Sequence, residues 1–304
     1  MSEGQIRIGT CSWADEALSK HWYPKGLKAG DRLAWYAEHF DTVEVDSTFY
    51  RLPVEEMVAR WAERTPPGFT MHVKAFAMMT RHPVRLEQLP PDLREGAPVD
   101  ARGRIERPSR EFRSEVFTRF HEALEPLRAE GKLGGILLQF PPYVVHKPLS
   151  FEYLEWAQGE LRGDKALVEF RHSSWLDDEH VADTLGFLES HGMTHVITDS
   201  PRIPGAKNMV PTIWATTSRT AYVRFHGRNA ETWNVRGGSA AERFNYLYSD
   251  EELRELAGPL RKAAEDVEEA FVFFNNNGRS QGADGGWVSQ AATNAAQLQA
   301  IAAT

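Results

Sequence analysis

Carboxylates stand close together at the end of one short apolar run in this chain. In Thr42–Pro53 (TVEVDSTFYRLP), Glu44 and Asp46 alternate with two valines and precede a polar-aromatic turn that contains Tyr50. Period-two alternation is typical of a β-strand, in which every second side chain lies on the same face. We therefore expect the two carboxylates to share one face and to point toward the carboxyl end of the strand.

Similar polar residues follow the other apolar runs of the chain. Because residues two apart on a strand share a face, the pairs Glu169/Arg171 and Arg224/His226 should each lie side by side. One such residue alone is more often a solvated strand end or a structural ion pair, but recurrence at every run end indicates a common site. Further residues of this kind are Lys74, Gln139, His172, Asp199 and Asn275, with Trp175 just after His172.

These residue types suit acid/base chemistry on an anionic ligand. Close carboxylates push one pKa upward and so create an acid-base pair. Arg can hold an anion with a bidentate fork and Lys as a point charge. The catalytic candidates are Glu44, Asp46, Glu169, Asp199 and His226. The substrate-binding candidates are Tyr50, Lys74, Gln139, Arg171, His172, Trp175, Arg224 and Asn275.

A divalent metal is the alternative use of the five catalytic candidates. Their oxygen and imidazole atoms suit Zn, Mn or Mg. The sequence contains no H-E-x-x-H motif and no Asp-rich loop, so we assign no metal ligand and leave the cofactor open.

Alternation of strands and helices predicts the fold that positions these residues. Amphipathic helical segments separate the runs, a pattern typical of parallel βαβ units. Eight units in one chain of 304 residues predict a TIM-type (β/α)8 barrel, and no linker divides residues 1–304, so we expect a single domain. The competing doubly wound sheet usually shows a Gly-rich turn that is absent after the first run. The eight runs are Ile6–Cys11, Thr42–Asp46, Thr70–Ala75, Gly135–Phe140, Ala166–Arg171, Thr194–Asp199, Ala221–His226 and Ala270–Asn275.

Charge is distributed unevenly along the chain. The net charge of −8 argues against a general binder of nucleic acids or membrane surfaces. Positive charge is concentrated in two segments, residues 81–113 and 200–249, which form long βα loops after strands 3, 6 and 7. In a barrel such loops lie at the carboxyl ends of the strands, where active sites are found. An anionic ligand would be attracted to that end.

Several features of the sequence indicate the cellular location of the protein. Cys11 is the only cysteine, so no internal disulfide partner exists. The N-terminus lacks a secretory signal pattern, and no apolar stretch is long enough to span a membrane. We expect a cytoplasmic protein with no membrane association. The oligomeric state is not indicated.

The motifs together resemble the YecE-like family, catalogued as domain of unknown function seventy-two. The similarity runs in order from about residue 6 to 298 and implies a TIM-type barrel, but no established reaction. The family usually has Asn at position 46 and commonly Ser-Gly at positions 11 and 12, so the Asp46 carboxylate need not serve the shared function. The motifs are GTCSW from Gly9, VEVDSTFY from Val43, VKA from Val73, LQFPP from Leu138, EFRHSSW from Glu169, DSP from Asp199, VRFHG from Val223 and FFNN from Phe273.

Two hypotheses of different kinds follow. The first is an enzyme, a hydrolase or isomerase, that acts on an anionic, phosphate-bearing small molecule or nucleic-acid fragment by carboxylate acid/base chemistry. The alternative is a non-catalytic module that binds nucleic acid or another partner through its basic loops.

Overall fold

Eight parallel strands form the centre of the molecule, as the sequence predicts. The computed structural model of the chain describes residues 5–235, 240–282 and 285–302. Every predicted run is a strand whose bounds agree within two residues at either end. The strands are β1 Gln5–Thr10, β2 Thr42–Val45, β3 Thr70–Lys74, β4 Leu133–Gln139, β5 Ala166–Glu169, β6 Thr194–Asp199, β7 Thr220–Phe225 and β8 Glu269–Phe274.

Helices cover the outside of the strands. Their buried apolar faces pack against the sheet in one large core. The prediction did not include three short helices, at residues 16–21, 91–94 and 240–243, or a small hairpin near the C-terminus. The helices are α1 Glu16–His21, α2 Arg32–Ala37, α3 Glu55–Glu63, α4 Pro91–Arg94, α5 Arg110–Ala123, α6 Glu125–Ala129, α7 Pro148–Glu160, α8 Val181–Ser190, α9 Ala240–Arg243, α10 Asp250–Glu265 and α11 Gln290–Ala302; the hairpin is β9 Arg279–Gln281 with β10 Trp287–Ser289.

The strands follow the order β1-β8-β7-β6-β5-β4-β3-β2 in one sheet that curls into a barrel. Side chains fill its interior, as is usual for this fold. The His72 ring lies among the rings of Tyr222, Phe271 and Phe273, with centroid distances of 5.0, 4.3 and 5.2 Å. Burial lowers the pKa of His72 well below its usual value, so this ring is a neutral part of the core.

A tyrosine hydroxyl joins the first and last strands of that order. The buried Tyr36 hydroxyl accepts a hydrogen bond from the Thr10 amide at 2.9 Å and lies 3.2 Å from the Thr42 carbonyl, to which it can donate. Close approach is possible because residue 9 is glycine. A Cβ at Gly9 would lie 2.3 Å from the Thr42 carbonyl oxygen. The barrel is thus closed at this seam by a side chain.

Both basic segments follow strands, as expected. Residues 81–109 connect β3 to α5 and include α4 together with two isolated strand bridges. Residues 200–219 connect β6 to β7 without a helix, and the loop after β7 includes α9. Residues 236–239 of the second basic segment lie outside the described residues. Among the described residues, no helix is both long enough and apolar enough to cross a membrane.

Candidate active site

An arginine inside the barrel joins two carboxylates from opposite strands. Arg224 on β7 donates from Nη2 to Glu44 Oε1 on β2 at 2.6 Å and from Nη1 to Glu169 Oε2 on β5. All three side chains are fully buried at the carboxyl end of the barrel. A buried charge is tolerated when it is paired and hydrogen-bonded. We call Glu44, Glu169 and Arg224 the inner cluster.

The two glutamates of the inner cluster have opposite pKa shifts. Burial would raise the pKa of Glu169, but Arg224, His226 and Arg171 outweigh burial and lower it well below the usual value. Burial raises the pKa of Glu44, and Arg224 only partly opposes that rise. The neighbours of each carboxylate explain the difference. Besides Arg224, Glu44 accepts a hydrogen bond from the Tyr222 hydroxyl at 2.7 Å, and the negative charge of Asp46 adds to the rise in its pKa.

Glu169 has the more complete set of donors. Gln139 Nε2 donates to Glu169 Oε1 at 2.8 Å, and Arg171 Nε lies 3.3 Å from the same oxygen. His226 Nε2 is 3.2 Å from it. Hydrogen bonds to the charged form stabilise an ionised carboxylate. Glu169 is therefore a fixed negative charge.

The hydrogen bonds around His226 define its tautomer. The Asn275 amide nitrogen lies 2.9 Å from His226 Nδ1, and since an amide NH₂ only donates, Nδ1 accepts. The proton on Nε2 then points at Glu169. Burial lowers the pKa of His226 to about 3, which agrees with a neutral ring. His226 orients Glu169 rather than adding charge.

A second layer of charge lies above the inner cluster. Lys74 Nζ is 3.5 Å from Asp46 Oδ1, and Arg224 Nη2 is 3.8 Å from the same oxygen. This Oδ1 is buried and has no hydrogen-bond partner among the described residues. Lys74 also lies over the Phe49 ring at 4.7 Å. Asp46 thus interacts electrostatically with two cations, but its Oδ1 accepts no hydrogen bond among the described residues.

This second layer faces a cleft of about 320 Å³ at the barrel mouth, which we call the mouth cleft. Arg171 lines the cleft and lies over the Trp233 ring at 5.4 Å. The side chains of Lys74 and Arg171 are 12% and 16% exposed, so both cations can reach a ligand there. The lining residues are Cys11, Ser12, Ala14, Asp15, Asp46, Ser47, Tyr50, Lys74, Gln139, Arg171, Phe244, Phe274, Asn275 and Asn277.

Asp15 adds a second carboxyl to the mouth cleft. It caps α1 by accepting a hydrogen bond from the Leu18 amide at 2.8 Å. Burial raises the pKa of Asp15 to about 6, and the nearby charge of Asp46 contributes to the rise. Asp15 can therefore hold or release a proton close to neutral pH.

Three potential metal ligands also meet at the base of the mouth cleft. One ligand atom each of Cys11, Glu44 and Asp46 lies within 4.8 Å of the others. Arg224 already places Nη2 2.6 Å from Glu44 Oε1 and 3.6 Å from Cys11 Sγ. Burial, and next Glu44, raise the pKa of Cys11 well above its usual value, so the sulfur is a neutral thiol beside the guanidinium. These residues suit the guanidinium better than a metal ion.

Glu44, Glu169, Arg224 and His226 are fully buried and do not line the mouth cleft, and three more of the residues selected from the sequence lie away from both the cleft and the inner cluster. Asp199 accepts hydrogen bonds from Arg228 Nε and the Tyr248 hydroxyl, at 2.9 and 2.7 Å, in a separate cluster. His172 Nδ1 contacts Ser174 at 2.8 Å in a local turn.

Trp175 is fully buried. Its ring stacks on Phe170 at 4.1 Å and its Nε1 donates to the Val144 carbonyl at 2.8 Å. The structure thus places Asp199, His172 and Trp175 outside the mouth cleft, and none of them has a part in the function proposed below.

The sequence reasoning also missed residues that line the mouth cleft. Asp15 was not selected, although Asp before a helical segment is a capping signal that places it beside the end of β1. Phe244 of the loop after β7 lines the cleft, and Trp233 of the same loop does not line it but lies under Arg171; both placements depend on tertiary structure. Their sequence neighbourhood gives no signal of either placement.

The fold and site define a TIM-type barrel with a buried ion-pair cluster beneath a polar cleft. The chain belongs to the family described as "Protein of unknown function DUF72", whose model matches residues 7–303. UPF0759 protein YunF of Bacillus subtilis is 31% identical over 285 residues, 92% of this chain and 92% of that protein.

Solved structures of the family have the same architecture. A DUF72 family protein of Enterococcus faecalis is 26% identical with a TM-score of 0.78, covering 99% of this chain and 96% of that one. A DUF72 family protein of Thermotoga maritima is 31% identical with a TM-score of 0.74, covering 98% and 99%. The family description names no activity.

Proposed function

We propose that this chain is an enzyme that acts on an anionic, phosphate-bearing small molecule or nucleic-acid fragment in the mouth cleft by carboxylate acid/base chemistry. One observation carries the proposal. Two cations, Lys74 and Arg171, line the same cleft as two carboxyls, Asp46 and Asp15. Anion-binding groups and proton-transfer groups within one cleft are what such a reaction requires.

The two cations remain available to a ligand. Lys74 is 3.5 Å from its carboxylate, and Arg171 shares Glu169 Oε1 with other donors at 3.3 Å. Lys74 is therefore not in close contact with its carboxylate, and Arg171 does not form the bidentate pair that would use two of its guanidinium donors. A phosphate oxygen entering the cleft would offer a better acceptor to both.

The two carboxyls suit opposite roles. The raised pKa of Asp15, about 6, lets its carboxyl carry a proton to a leaving group. Asp46 contributes to that rise through its negative charge and has an oxygen without a hydrogen-bond partner. We assign Asp46 as the base and Asp15 as the acid.

The inner cluster acts below the reacting groups. Glu44 and Glu169 are fully buried, so they do not contact a ligand in this conformation. Arg224 lies 3.8 Å from Asp46 and links that carboxylate to both glutamates. We therefore interpret the inner cluster, with His226, as positioning residues that fix Asp46 and Arg171.

Binding and turnover of small phosphoesters test the proposal. Lys74→Gln should weaken binding of a phosphate ester such as thymidine 5′-phosphate by about 10- to 100-fold, as expected for loss of a charge-assisted hydrogen bond. Arg60→Gln, which removes an exposed positive charge on α3, is the matched control and should bind like the wild type. Calorimetry measures both. Unchanged binding by Lys74→Gln, with the fold intact, would remove Lys74 from the proposed site.

Turnover separates an enzyme from a binding module. In a screen of phosphate mono- and diesters, Asp15→Asn should lower kcat by about 10²- to 10⁴-fold with little change in KM. Asp46→Asn introduces the residue expected in the family and shows whether the second carboxylate is needed here. Binding without turnover by the wild type across the whole screen would favour the alternative, a non-catalytic binding module.

A further inference from the structure

A second cleft lies on the same end of the barrel and is lined by arginines. It has a volume of about 370 Å³ and lies between the 3₁₀ turn Ala77–Thr80, the loop 81–109 and the start of α5. The proposed acid/base chemistry does not use it. We call it the arginine cleft; its charged lining residues are Arg81, Arg104, Arg107, Arg113, Asp100 and Glu106.

Positive charge in the arginine cleft is not neutralised. Arg104 is paired with Asp100 at 2.8 Å. Among the described residues, Arg81, Arg107 and Arg113 have no carboxylate within the 4.0 Å of an ion pair. One further acid, Glu106, opposes these three cations. A concave surface with excess positive charge concentrates anions.

The arginines are held in place by aromatic rings. Arg81 and Arg113 lie over the Tyr153 ring at 5.2 and 5.7 Å. The Tyr153 hydroxyl is fixed by donating to the Met79 carbonyl at 2.9 Å, and the Tyr143 hydroxyl donates to the Arg81 carbonyl at 2.6 Å. Stacking orients a guanidinium while leaving its in-plane N–H groups for an acceptor.

Two further observations point to a ligand in the arginine cleft. Arg113 Nε is buried and has no hydrogen-bond acceptor within the part of the chain that the structure describes. Arg81 and Arg107 have positive φ angles of 66° and 46°, which are unfavourable for residues other than glycine. Such strain is found at functional sites, where the surrounding structure imposes it.

The arginine cleft adjoins the mouth cleft. His82 lines the arginine cleft, and its ring meets the Phe49 ring edge-on at 4.9 Å. Lys74, which lines the mouth cleft, lies over the same Phe49 ring at 4.7 Å, so His82 and Phe49 form a wall between the two clefts. Burial, and then Lys74 and Arg171, lower the pKa of His82 to about 3, so the wall is uncharged. One ligand could extend over it from cleft to cleft.

We propose that the arginine cleft binds a second phosphate group of the ligand whose first phosphate lies at Lys74 and Arg171. The ligand would then carry two or more phosphates separated by a spacer, as a short phosphodiester strand does. This inference rests on the proposed function, because it takes the mouth cleft as the first anion site.

A series of probes with increasing numbers of phosphates tests the inference. The probes are pyrophosphate and thymidine oligonucleotides with one, two and four phosphates, titrated at low salt. With the wild type, affinity should rise at least 10-fold from the one-phosphate to the two-phosphate thymidine probe. Pyrophosphate should not show this gain, because it has no spacer.

The double variant Arg107→Gln/Arg113→Gln should lose the gain from the second phosphate while binding the one-phosphate probe normally. Its salt dependence on the longest probe should weaken by about 1.4 in slope, as expected for two lost contacts to a single strand. Arg85→Gln/Arg102→Gln removes two exposed arginines of the same loop and should leave the gain unchanged.

The outcomes separate this inference from the proposed function. Equal affinities of the wild type and the Arg107/Arg113 variant for every probe would overturn the inference, whereas weakening by Lys74→Gln would still support the mouth cleft. If Lys74→Gln binds every probe normally and the arginine variant weakens even the one-phosphate probe, the first anion site is misplaced and both proposals fail. If pyrophosphate gained as much affinity as the two-phosphate strand, the inference that a spacer separates the two phosphates would be wrong.

Discussion

The inner cluster and the arginine cleft use the same cation in opposite ways. In the inner cluster, Arg224 lies between two carboxylates, with all three side chains fully buried. In the arginine cleft, Arg107 and Arg113 face a cavity and have no carboxylate within ion-pair distance among the described residues. The charge of Arg224 is thus paired with carboxylates of the protein itself, although its Nε has no acceptor among the described residues, whereas the charges of Arg107 and Arg113 are left for a ligand to pair.

The difference separates positioning from binding. A buried ion pair resists change, because removing one partner leaves an uncompensated charge. A partly exposed arginine without a counterion contributes little to the stability of the free protein. Its removal therefore has a measurable effect only when an anion is present. Stability and ligand binding should therefore respond to different arginines.

The largest expected effect is on stability, in the inner cluster. Arg224→Leu should lower the free energy of unfolding by about 3–5 kcal/mol, because Glu44 and Glu169 would lose the guanidinium between them. Denaturant unfolding followed by circular dichroism measures this change. Adding Glu44→Gln and Glu169→Gln to the Arg224 variant should restore part of the loss. A loss below about 1 kcal/mol for Arg224→Leu would show that water enters the cluster.

The next expected effect distinguishes the two glutamates through pH. The depressed pKa of Glu169 means that its contribution to stability is present above the ordinary carboxyl pKa of about 4.3 and is lost as pH falls through the folded value. The raised pKa of Glu44 has the opposite sign, so the folded state gains stability as pH falls toward 4.3. The two carboxylates should therefore act in different pH windows.

Unfolding free energies of Glu169→Gln and Glu44→Gln from pH 3 to 8 measure this difference. Glu169→Gln should reduce the loss of stability that the wild type shows below about pH 4.3. Glu44→Gln should remove the gain in stability that the wild type shows as pH falls toward about 4.3. At pH 7, Glu169→Gln should be the more destabilising of the two. The reverse order would mean that Glu44 carries the fixed charge.

The smallest expected effect on stability is in the arginine cleft. Arg107→Gln should change the free energy of unfolding by less than about 0.5 kcal/mol, because Arg107 is exposed and has no ion pair among the described residues. Thermal unfolding with and without the longest oligonucleotide measures this effect. The ligand should raise the Tm of the wild type more than that of the variant. A large loss without ligand would assign Arg107 a structural role.

The barrel could be predicted from the sequence because its signals are local. Alternation in Thr42–Asp46 predicts a strand, and apolar residues at helical spacing, such as Val116, Phe117 and Phe120, predict a helix. Strand direction then places all carboxyl ends at one end of the barrel. The nearness of Glu44, Glu169 and Arg224 follows from that geometry alone.

The separation of layers could not be predicted from the same signals. Strand-end position puts Asp199 at the same rim as Glu169, but Asp199 is held by Arg228 from the next strand's loop. Trp175 follows a strand end as well, yet a backbone carbonyl at Val144 holds it in the core. Which partner a side chain finds depends on loops whose conformation has no periodic signature.

The tyrosine seam between β1 and β2 has a consequence for how the barrel moves. Two hydrogen bonds of the Tyr36 hydroxyl join the two strands at this seam, so we expect local opening of the barrel to begin there. The chain segment that follows β1 carries Cys11, Ser12 and Asp15, which form one wall of the mouth cleft. A separation of β1 from β2 would therefore also move one wall of the mouth cleft, and the hydrogen bonds of the Tyr36 hydroxyl oppose it.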